Sequence, residues 1–395
     1  MSSIALSLLD WRPDVLTQTQ KEIQDLARTF THEQVLPVAN QLDQVDGAIP
    51  DELIAQMAEM GFFGILIPEQ YGGLGLGVFE YCLIAEELAR GWMSVASLIA
   101  RGNGLLPGFT EEQRRLLLPK VARGEYLGAF ALSENEAGSD VANISCRAVQ
   151  DNEDWVITGS KMWCTFADRA DYILLFARTS ASPDAHRRHI GISIFLIDKE
   201  RGGFPDGINA TPVRKIGYRG WKTWEMTFDG LRLPASAMLG EEGRGFYAAM
   251  TTLDTARAHT AARSIGLAQG ALEDAIAYAQ QREQFGSRIA DFQAIRFKIA
   301  DMATRIEVNR QMMHQACRLI DSREGSGGLA ASMAKLSASE MSEWVTSQGL
   351  QIHGGAGYTT DFAAERYWRD ARLTKIFEGT SEIQMKLISD KLLAR

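Results

Sequence analysis

The stretch YLGAFALSE, residues 126–134, decides the fold, because the hydrophobic pattern of the chain changes there from helical to β. It is followed by short segments that are rich in β-branched and aromatic residues and are separated by Asp, Asn, Gly and Pro, as strands are. These segments are ISCRAVQ, DWVITG, DYILLFART, HIGISIFLID and TWEMTFDGLRLP, and VQDNEDWV among them has the composition of a hairpin turn. The pattern predicts an antiparallel β domain over about residues 125–239.

Upstream of this domain, from about Thr17 to Gly124, the sequence is typical of helices. PDELIAQMAEMGFFG predicts a helix that begins near Pro50 and Asp51 and ends at Gly61, and VFEYCLIAEELARG and SVASLIARG predict two more. KEIQDLARTFTHEQVLPVANQLD spaces its apolar residues as one face of an amphipathic helix does. The residues on this face are Ile23, Leu26, Ala27, Phe30 and Val35.

Downstream of the β domain, from Gly245, the predicted helices return and are long. IADFQAIRFKIADMATRIEVNRQMMHQACRLID carries a sustained apolar stripe, which favours a helix bundle. The stripe consists of Ile295, Ile299, Met302, Ile306, Met313, Cys317 and Ile320. The chain is therefore predicted to be mainly α with a central antiparallel β domain. The predicted domains are an N-terminal helical domain at 1–124, a middle β domain at 125–239 and a C-terminal helical bundle at 240–395.

The composition is that of an ordinary soluble globular protein, with 395 residues, 46% apolar and 23% charged. The net charge of −9 and the pI near 5.3 argue against nucleic acid and anionic membranes as partners. No apolar run has transmembrane length, and the first residues lack the basic region of a secretory signal. The cysteines are far apart and are expected to be small core residues in a reducing, cytoplasmic compartment. They are Cys82, Cys146, Cys164 and Cys317.

Several common catalytic and nucleotide-binding motifs are missing from the sequence. There is no P-loop GK[ST], no HExxH and no G-x-S-x-G. GSGGLA at 325–330 resembles a dinucleotide-binding motif, but it follows a predicted helix and is therefore predicted to link two helices. The six histidines show no metal-ligand spacing beyond the pair His186 and His189, so no metal is expected.

The stretch TKIFEGTSEIQ, residues 374–384, places a single carboxylate, Glu378, after an apolar pair. The pair, Ile376 and Phe377, is predicted to be buried. A general base benefits from such neighbours, because partial desolvation raises the pKa of a carboxyl toward working pH. Glu378 is therefore a candidate general base. The helix break, helix cap and first-turn carboxylate predicted after it are Gly379, Thr380 or Ser381, and Glu382.

Other stretches suit both a ligand-binding and a structural interpretation. ALSENEAGSD, residues 131–140, is either a loop of small and hydroxyl residues against a ligand or an ordinary β-turn. Trp163 and Thr165 of KMWCTF would share one strand face, which suits a flat aromatic ligand as well as a protein core. Arg282, Phe285 and Gln293 near a helix–helix turn suit a phosphate and a purine, or a solvated turn. GLQIHGGAGYTT has four glycines within nine residues, which suits close approach of a ligand or a helix.

Together these stretches resemble the acyl-CoA dehydrogenase family over nearly the full length of the chain. Each match is modest alone, but their order is specific. The resemblance implies a helical N-terminal domain, a β-barrel-like middle domain and a C-terminal four-helix bundle. The matching segments are GFFGILIPEQYGGLG, ALSENEAGSD, KMWCT, LDTARAHTAARSIGLAQGAL, REQFGSRIADFQAIRFKIADM, QIHGGAGY and AERYWRDARLTKIFEGTSEIQ.

The resemblance also implies FAD as the cofactor. The residues that match FAD contacts in the family are Phe130, Leu132, Ser133, Trp163, Thr165, Arg282, Phe285, Gln293, Gln351, Ile352, His353, Gly354, Gly355, Thr380 and Glu382. Of these, Arg282, Phe285 and Gln293 match residues that reach the FAD of a neighbouring subunit. The resemblance therefore implies a homotetramer.

In the family, Glu378 matches the catalytic base of an α,β-dehydrogenation that converts an acyl thioester to the trans-2-enoyl thioester. The base takes the α-proton, its backbone N–H and an FAD ribityl hydroxyl form the oxyanion hole, and the β-hydride goes to the flavin. Some relatives carry the base where this chain has Ala256. Electron-transfer flavoprotein is the implied electron acceptor. The residues that match substrate contacts are Ser139, Phe246, Asp254, Arg257 and Gly379.

The chain departs from the family pattern at two points. Asn135-Glu136 stands where the family has Pro-Gly or Pro-Asn, which leaves open whether the thioester carrier is CoA or an acyl-carrier protein. Trp221 replaces a common Ser and is expected to alter only surface packing. Apart from these departures, Arg101 ends an apolar run in the segment that closes the acyl tunnel in relatives. There it binds an anion on the acyl tail, pairs with a nearby carboxylate such as Glu86 or Glu87, or complements the helix dipole. Rival functions are an acyl-CoA oxidase, a nitroalkane-oxidase-like enzyme and a non-catalytic scaffold.

Overall fold

A computed structural model describes residues 16–103, 108–182, 184, 187–250, 252–323, 325 and 327–394. Residues 1–15, on which the expected lack of a secretory signal depends, lie outside this range, and so does His186 of the His-x-x-His pair. A capping box begins the first helix: the Thr17 side chain accepts a hydrogen bond from the Gln20 N–H at 3.2 Å, and the Gln20 side chain accepts one from the Thr17 N–H at 3.0 Å.

Along the chain, helices precede and follow the β region, as predicted. A π-helical turn, Thr31–Val35, joins the first two helices. The helices are α1 (Gln18–Phe30), α2 (Leu36–Leu42), α3 (Asp51–Glu59), α4 (Val78–Gly91), α5 (Met93–Leu98), α6 (Ala100–Asn103), α7 (Glu111–Ala122), α8 (Gly245–Met250), α9 (Leu253–Gln281), α10 (Gln293–Asp321), α11 (Gly327–His353), α12 (Ala364–Thr374) and α13 (Ser381–Leu392).

The strands of the described residues form one sheet of eight and a separate two-stranded ribbon. The large sheet has the order β6-β7-β3-β2-β4-β5-β8, with β1 on β4. The strands are β1 (Gly128–Ala131), β2 (Arg147–Asp151), β3 (Asp154–Thr165), β4 (Tyr172–Arg178), β5 (Ile192–Asp198), β6 (Ile208–Pro212), β7 (Thr223–Pro234), β8 (Met238–Leu239), β9 (Glu283–Gln284) and β10 (Ser287–Arg288).

The pairing in the large sheet is mainly antiparallel, as predicted. The exceptions are β1, which runs parallel to β4, and one parallel pair between β2 and β4. The predicted hairpin joins β2 and β3, and its Asn152 takes the left-handed backbone conformation that a tight hairpin needs. β6 was not predicted, because its sequence INATP is short and polar and ends in proline.

The described residues divide into two compact units. The first contains those of Met1–Val45, Val78–Ser97 and Thr255–Arg395, and is helical. Its helices approach closely: a Cβ on Gly266 of α9 would lie 2.1 Å from the backbone carbonyl oxygen of Glu86 on α4. The buried Glu86 side chain pairs with the buried Arg310 of α10 at 2.7 Å, so an ion pair fixes α4 against α10.

The second unit contains the described residues of Asp46–Gly77 and Leu98–Asp254, and so the large sheet. Alternate residues of β4 and β5 point to one face of the sheet and are buried there with residues of α7 and the loops. The predicted boundaries after 124 and 239 fall between α7 and β1 and directly after β8, and the division into three domains stays a prediction. The core of this unit includes Ile67, Phe109, Leu118, Val121, Ile144, Tyr172, Leu174, Phe176, Ile192, Ile194 and Leu239.

Two predicted environments are wrong. Leu26 is exposed, because α1 buries the face that carries Gln24, Ala27 and Phe30. Trp221 is buried rather than on the surface, and its indole packs at 5.1 Å from the Tyr218 ring. The four cysteines are buried free thiols, which confirms their prediction as core residues. Among the described helices, none combines the length and the apolar character needed to cross a lipid bilayer.

Candidate active site

The turn that carries Glu378 lies between α12, which ends at Thr374, and α13, which begins at Ser381. The predicted cap is confirmed: the Thr380 hydroxyl accepts a hydrogen bond from the backbone N–H three residues on, at 3.3 Å. Glu378 and Gly379 both have left-handed backbone conformations, with φ of +53° and +90°. For a residue other than glycine this conformation costs about 1–3 kcal/mol, and such strain concentrates at functional sites.

Two side chains of α9 engage the carboxylate of Glu378. Its Oε1 accepts a hydrogen bond from Nη2 of Arg263 at 2.7 Å, and its Oε2 accepts one from the Thr260 hydroxyl. The Arg263 side chain is 1% exposed, whereas that of Glu378 is 33% exposed. The carboxylate therefore has a buried cation on its protein side and remains accessible on the other.

Arg263 is itself held by hydroxyl groups and an aromatic ring. Its Nη1 donates to Oγ of Ser97 at 2.7 Å, and its Nη2 donates to Oγ1 of Thr260 at 2.9 Å. The guanidinium carbon lies 4.8 Å from the centroid of the half-buried Phe377 ring. The predicted burial of Ile376 is wrong, since that side chain is half exposed. Glu378 thus lies in a hydrogen-bonded polar setting instead of the apolar one that the sequence predicts.

Lys335 of α11 fixes the backbone of the same turn. Its side chain is fully buried, and Nζ donates to the carbonyl oxygen of Gly379 at 2.6 Å. The Gln384 side chain donates to this oxygen as well, at 3.2 Å. Burial lowers the pKa of Lys335 to about 8, against the opposing attraction of the Glu378 carboxylate.

The backbone N–H of Glu378 has no hydrogen-bond acceptor within the described part of the chain. A donor of an oxyanion hole must be free before the reacting oxygen arrives. This N–H meets that requirement, and the neighbouring carbonyl of Gly379 is already bound by Lys335.

The residues that the sequence assigns to the flavin ring lie on β1, on β3 and in the loop after β1. Trp163 has a φ of +66° and lies where the register between β3 and β7 shifts, which turns its indole outward to 56% exposure. Phe130 is also exposed. The carbonyl of Ser133 accepts a hydrogen bond from the N–H of Met162 at 2.8 Å, so Ser133 lies beside Trp163. The Thr165 hydroxyl shares a hydrogen bond with that of Thr223 at 3.0 Å.

A buried ion pair anchors the loop that carries Leu132 and Ser133. Nζ of Lys161 donates to Glu134 at 2.8 Å and to the carbonyl of Leu132 at 2.9 Å. Glu134 also accepts hydrogen bonds from the backbone N–H groups of Ser145 and Cys146. Burial raises the pKa of Glu134, but the charge of Lys161 and these hydrogen bonds outweigh it and hold that pKa below its usual value. The loop is therefore fixed by buried charge and is more than an ordinary β-turn.

The residues assigned to the rest of FAD are mostly exposed. Phe285, at the tip of the β9–β10 ribbon, is 96% exposed, and Arg282 and Gln293 beside the ribbon are exposed too. At the end of α11, Ile352 and His353 are buried and Gln351 is exposed. Gly354 and Gly355, directly after the helix, are also exposed, and a Cβ on either glycine would meet no atom within 4 Å. Glu382 is exposed in the first turn of α13.

The residues assigned to the substrate are distributed over several elements. Ser139 is exposed in the loop after β1, and Phe246 of α8 packs beside the His189 ring at 5.2 Å. Asp254 and Arg257 are half-buried in the first turns of α9, the helix that also carries Thr260 and Arg263.

Arg101 contacts Trp221, one of the two departures from the family pattern. The guanidinium carbon of Arg101 lies 5.0 Å from the centroid of the Trp221 indole, within cation–π distance. Arg101 is half-buried. The carboxylates suggested by sequence as its partners are paired with other arginines: Glu86 with Arg310, and Glu87 with Arg28 and Arg90.

The assigned residues fit FAD by their chemistry. The outward indole of Trp163 and the exposed ring of Phe130 provide apolar surface for a flat ring system. The Thr165 hydroxyl and the fixed loop at Ser133 provide hydrogen-bonding groups beside that surface. The open side of Gly354 and Gly355 allows a dinucleotide to approach the backbone.

Three family models match the chain in order. The N-terminal domain of acyl-CoA dehydrogenase matches residues 17–125, the middle domain residues 129–231, and the C-terminal domain residues 243–393. The chain therefore belongs to the acyl-CoA dehydrogenase family, and the resemblance seen in the sequence is confirmed. It is an oxidoreductase that acts on acyl-CoA and uses FAD.

Similar proteins agree with this assignment. An acyl-CoA dehydrogenase of Bacillus subtilis (strain 168) is 39% identical over 383 residues, which are 96% of this chain and 99% of the relative. CarC, a subunit of the caffeyl-CoA reductase-Etf complex of Acetobacterium woodii, is 39% identical over 387 residues, 96% of this chain and 99% of the subunit. The structure of butyryl-CoA dehydrogenase from Megasphaera elsdenii, at 33% identity, has a TM-score of 0.88 and covers 97% of this chain and 100% of that one. The predicted fold class is confirmed.

Sequence reasoning missed the residues that surround Glu378. Arg263, Thr260 and Lys335 lie on two long helices, where a charged or hydroxyl residue usually faces solvent. The only local signal was that Arg263 and Lys335 interrupt small apolar runs, AHTAARSIG and ASMAKLSA. Their contact with Glu378 arises from tertiary packing, which spacing alone does not show.

The lowered pKa of Lys335 predicts how the stability of the protein depends on pH. In the unfolded chain a lysine has a pKa near 10.5, so between about pH 8 and 10.5 the unfolded state binds more protons than the folded state, and stability rises with pH. The lowering of the lysine pKa from 10.5 to about 8 on folding corresponds to about 3 kcal/mol of free energy of unfolding. This destabilisation is fully present below pH 8 and decreases as pH rises. Lys335→Met should remove this rise.

Urea unfolding of the wild type and Lys335→Met at pH 7, 8, 9 and 10 measures the effect. The variant should lose stability relative to the wild type as pH increases through this range. Lys120→Met, at an exposed lysine, is the matched control and should differ from the wild type by a constant amount. A difference between Lys335→Met and the wild type that does not change with pH would show that burial does not lower the pKa of Lys335.

Proposed function

We propose that the protein removes an α-proton and a β-hydride from an acyl-CoA and forms the trans-2-enoyl thioester. The observation that supports this most strongly is the Glu378 carboxylate, which Arg263 and Thr260 hold in a strained turn. The backbone N–H of Glu378 beside it has no acceptor among the described residues. The turn presents a base and an oxyanion donor from one residue. A scaffold without catalytic function has no need of this arrangement.

In this proposal Glu378 is the general base. Loss of the α-proton leaves negative charge on the thioester oxygen, and the Glu378 N–H donates a hydrogen bond to that oxygen. Lys335, whose ammonium group is bound to the next carbonyl, adds positive charge close to the turn. FAD, when bound, accepts the β-hydride, which no amino-acid side chain does.

We propose electron-transfer flavoprotein as the electron acceptor. The support is the similarity to CarC, a subunit of a complex whose name includes Etf. The rival is an acyl-CoA oxidase, in which oxygen takes the electrons. Release of hydrogen peroxide in air at the rate of enoyl-CoA formation would favour the oxidase, whereas slow release without added acceptor favours a dehydrogenase.

Glu378→Gln should retain FAD and bind acyl-CoA but lose flavin reduction. Glutamine has nearly the same shape as glutamate and cannot take the α-proton, and removal of a general base costs about 10²–10⁴-fold. Anaerobic bleaching of the flavin by a panel of acyl-CoA and acyl-carrier thioesters measures this and identifies the carrier. Asp390→Asn, on the neighbouring helix α13, is the control. A Glu378→Gln rate within threefold of the wild type would place the base elsewhere.

We propose that Arg101 determines which acyl group the enzyme prefers. A guanidinium that lies over an indole still donates hydrogen bonds in its own plane, and a carboxylate on the acyl tail would accept them. Such a charged hydrogen bond is worth about 1.5–3 kcal/mol. Arg101→Ala should therefore lower kcat/KM for glutaryl-CoA by about 10- to 150-fold and leave valeryl-CoA, of equal chain length, unchanged or improved.

Steady-state kinetics with both thioesters decides this prediction. Trp221→Leu is a useful second variant, because it removes the ring under the guanidinium and keeps the charge. It should reduce the preference for glutaryl-CoA by a smaller factor than Arg101→Ala does. Equal losses on the two thioesters in Arg101→Ala would assign the residue a structural role.

We also propose that the protein is a homotetramer in which Phe285 packs on a neighbouring subunit. Phe285 is 96% exposed at the tip of a ribbon, and burying a phenyl ring stabilises by about 1.5–3 kcal/mol. Phe285→Asn removes the ring but tolerates the left-handed backbone at this position, where φ is +53°. The variant should dissociate at concentrations at least tenfold higher than the wild type and retain less FAD. Light scattering that finds an active, FAD-bound wild-type monomer would contradict the tetramer.

A further inference from the structure

The ion pair between Arg263 and Glu378 differs from the buried ion pair between Arg310 and Glu86. In the pair of Arg310 and Glu86 both side chains are buried, at 2% and 3% exposure, as expected of a pair that only fixes two helices together. In the pair of Arg263 and Glu378 the arginine side chain is 1% exposed and the glutamate side chain is 33% exposed. A fully desolvated guanidinium is therefore used to hold a carboxylate that faces outward, which a structural role does not explain.

The hydroxyl of Thr260 has two acceptors for one proton. It lies 2.9 Å from the carbonyl oxygen of Ala256 and in hydrogen-bond contact with Oε2 of Glu378, while Nη2 of Arg263 donates to it. A hydroxyl donates only one hydrogen bond. When Glu378 is a carboxylate, Thr260 donates to it. When Glu378 carries a proton, Glu378 can donate to Thr260, which turns its own proton to Ala256.

We propose that Arg263 and Thr260 are positioning residues that hold Glu378 in one place before and after it takes the α-proton. In the step they serve, the C–H bond at the α-carbon breaks, an O–H bond forms on Glu378, and the electron pair remains with the thioester. Arg263 holds the charged form of Glu378 through its Oε1. Thr260 holds both the charged and the protonated form of Glu378 through its Oε2. The inference rests on the proposed role of Glu378 as the general base.

The charged groups around this cluster come from several helices. Arg263 and Arg257 lie on α9, Lys335 and Glu340 on α11, and Glu378 in the turn before α13. Lys335 binds the backbone of the turn, whereas Arg263 binds the side chain, so the two cations have separable tasks. Loss of Arg263 should free the carboxylate to move and leave the turn itself in place.

The test is anaerobic stopped-flow reduction of the flavin in the holoenzyme. The substrate is whichever of butyryl-CoA, valeryl-CoA and glutaryl-CoA reduces the wild type fastest. The variants are Arg263→Gln, Arg263→Lys, Thr260→Val, Thr260→Ser, Glu378→Gln and the double variant Arg263→Gln/Glu378→Gln. Arg310→Gln is the matched control, because it breaks a buried arginine–glutamate pair of the same unit, and the hydrogen-bond partners of this arginine among the described residues, Glu86, Glu307 and Gln269, do not include Glu378.

Arg263→Gln should lower the rate of flavin reduction at saturating substrate by about 10- to 150-fold, because it removes one charged hydrogen bond. Its dissociation constant for acyl-CoA should stay within threefold of the wild-type value. Arg263→Lys should recover part of the loss. Thr260→Val should lose about 2- to 10-fold, and Thr260→Ser should match the wild type. The double variant should be no slower than Glu378→Gln, because the two residues act as one unit. Arg310→Gln should lower the melting temperature but not the rate.

An Arg263→Gln rate within threefold of the wild type, or one above it, would overturn the proposal. So would equal losses in Arg310→Gln, or losses that multiply in the double variant. If Arg263→Gln does not fold, Thr260→Val against Thr260→Ser decides, and equal rates for these two overturn it. If none of the thioesters reduces the wild-type flavin, the proposed function itself is wrong, which is a different outcome from an unaffected Arg263 variant.

Discussion

The pair between the buried guanidinium of Arg263 and the outward carboxylate of Glu378 is the interaction on which the candidate site depends. A guanidinium taken out of water needs an anion and hydrogen-bond acceptors, and here Glu378, Thr260 and Ser97 supply them. Glu378 in turn occupies a strained backbone conformation that persists only if its surroundings hold it. Lys335 holds the backbone of this turn through the Gly379 carbonyl, and Arg263 holds the carboxylate, so the carboxylate has one fixed position.

The same logic of buried charge recurs beside the loop of β1. Lys161 is buried and binds Glu134 together with the carbonyl of Leu132, so the loop that carries Ser133 has little freedom. In both places a buried lysine binds a backbone carbonyl, Lys335 that of Gly379 and Lys161 that of Leu132. The residues assigned to chemistry or to FAD lie on the segments that these lysines fix. Rigid support of this kind preorganises a site, because no free energy is then spent on ordering it when ligands bind.

Much of the fold could be predicted from sequence, because periodicity, caps and turns are local signals. The helices around Val78–Gly91, the β2–β3 hairpin at Asn152 and the cap at Thr380 follow from neighbouring residues. The candidate base was also found, since Glu378 stands in a distinctive turn. The partners of that base were not found, because Arg263 lies 115 residues before Glu378 and meets it only through helix packing. Trp221 and Leu26 were misplaced for the same reason: burial depends on which face the rest of the fold covers.

In the proposed reaction Glu378 takes the α-proton of the acyl-CoA and the β-hydride goes to FAD. The decisive measurement is flavin reduction in the wild type with acyl-CoA deuterated separately at the α- and the β-carbon. Both labels should slow the reduction by a primary isotope effect, and solvent deuterium should enter the α-position of bound acyl-CoA in the wild type but not in Glu378→Gln. Reduction that is insensitive to the α-label, or α-exchange that survives in Glu378→Gln, would show that Glu378 is not the base.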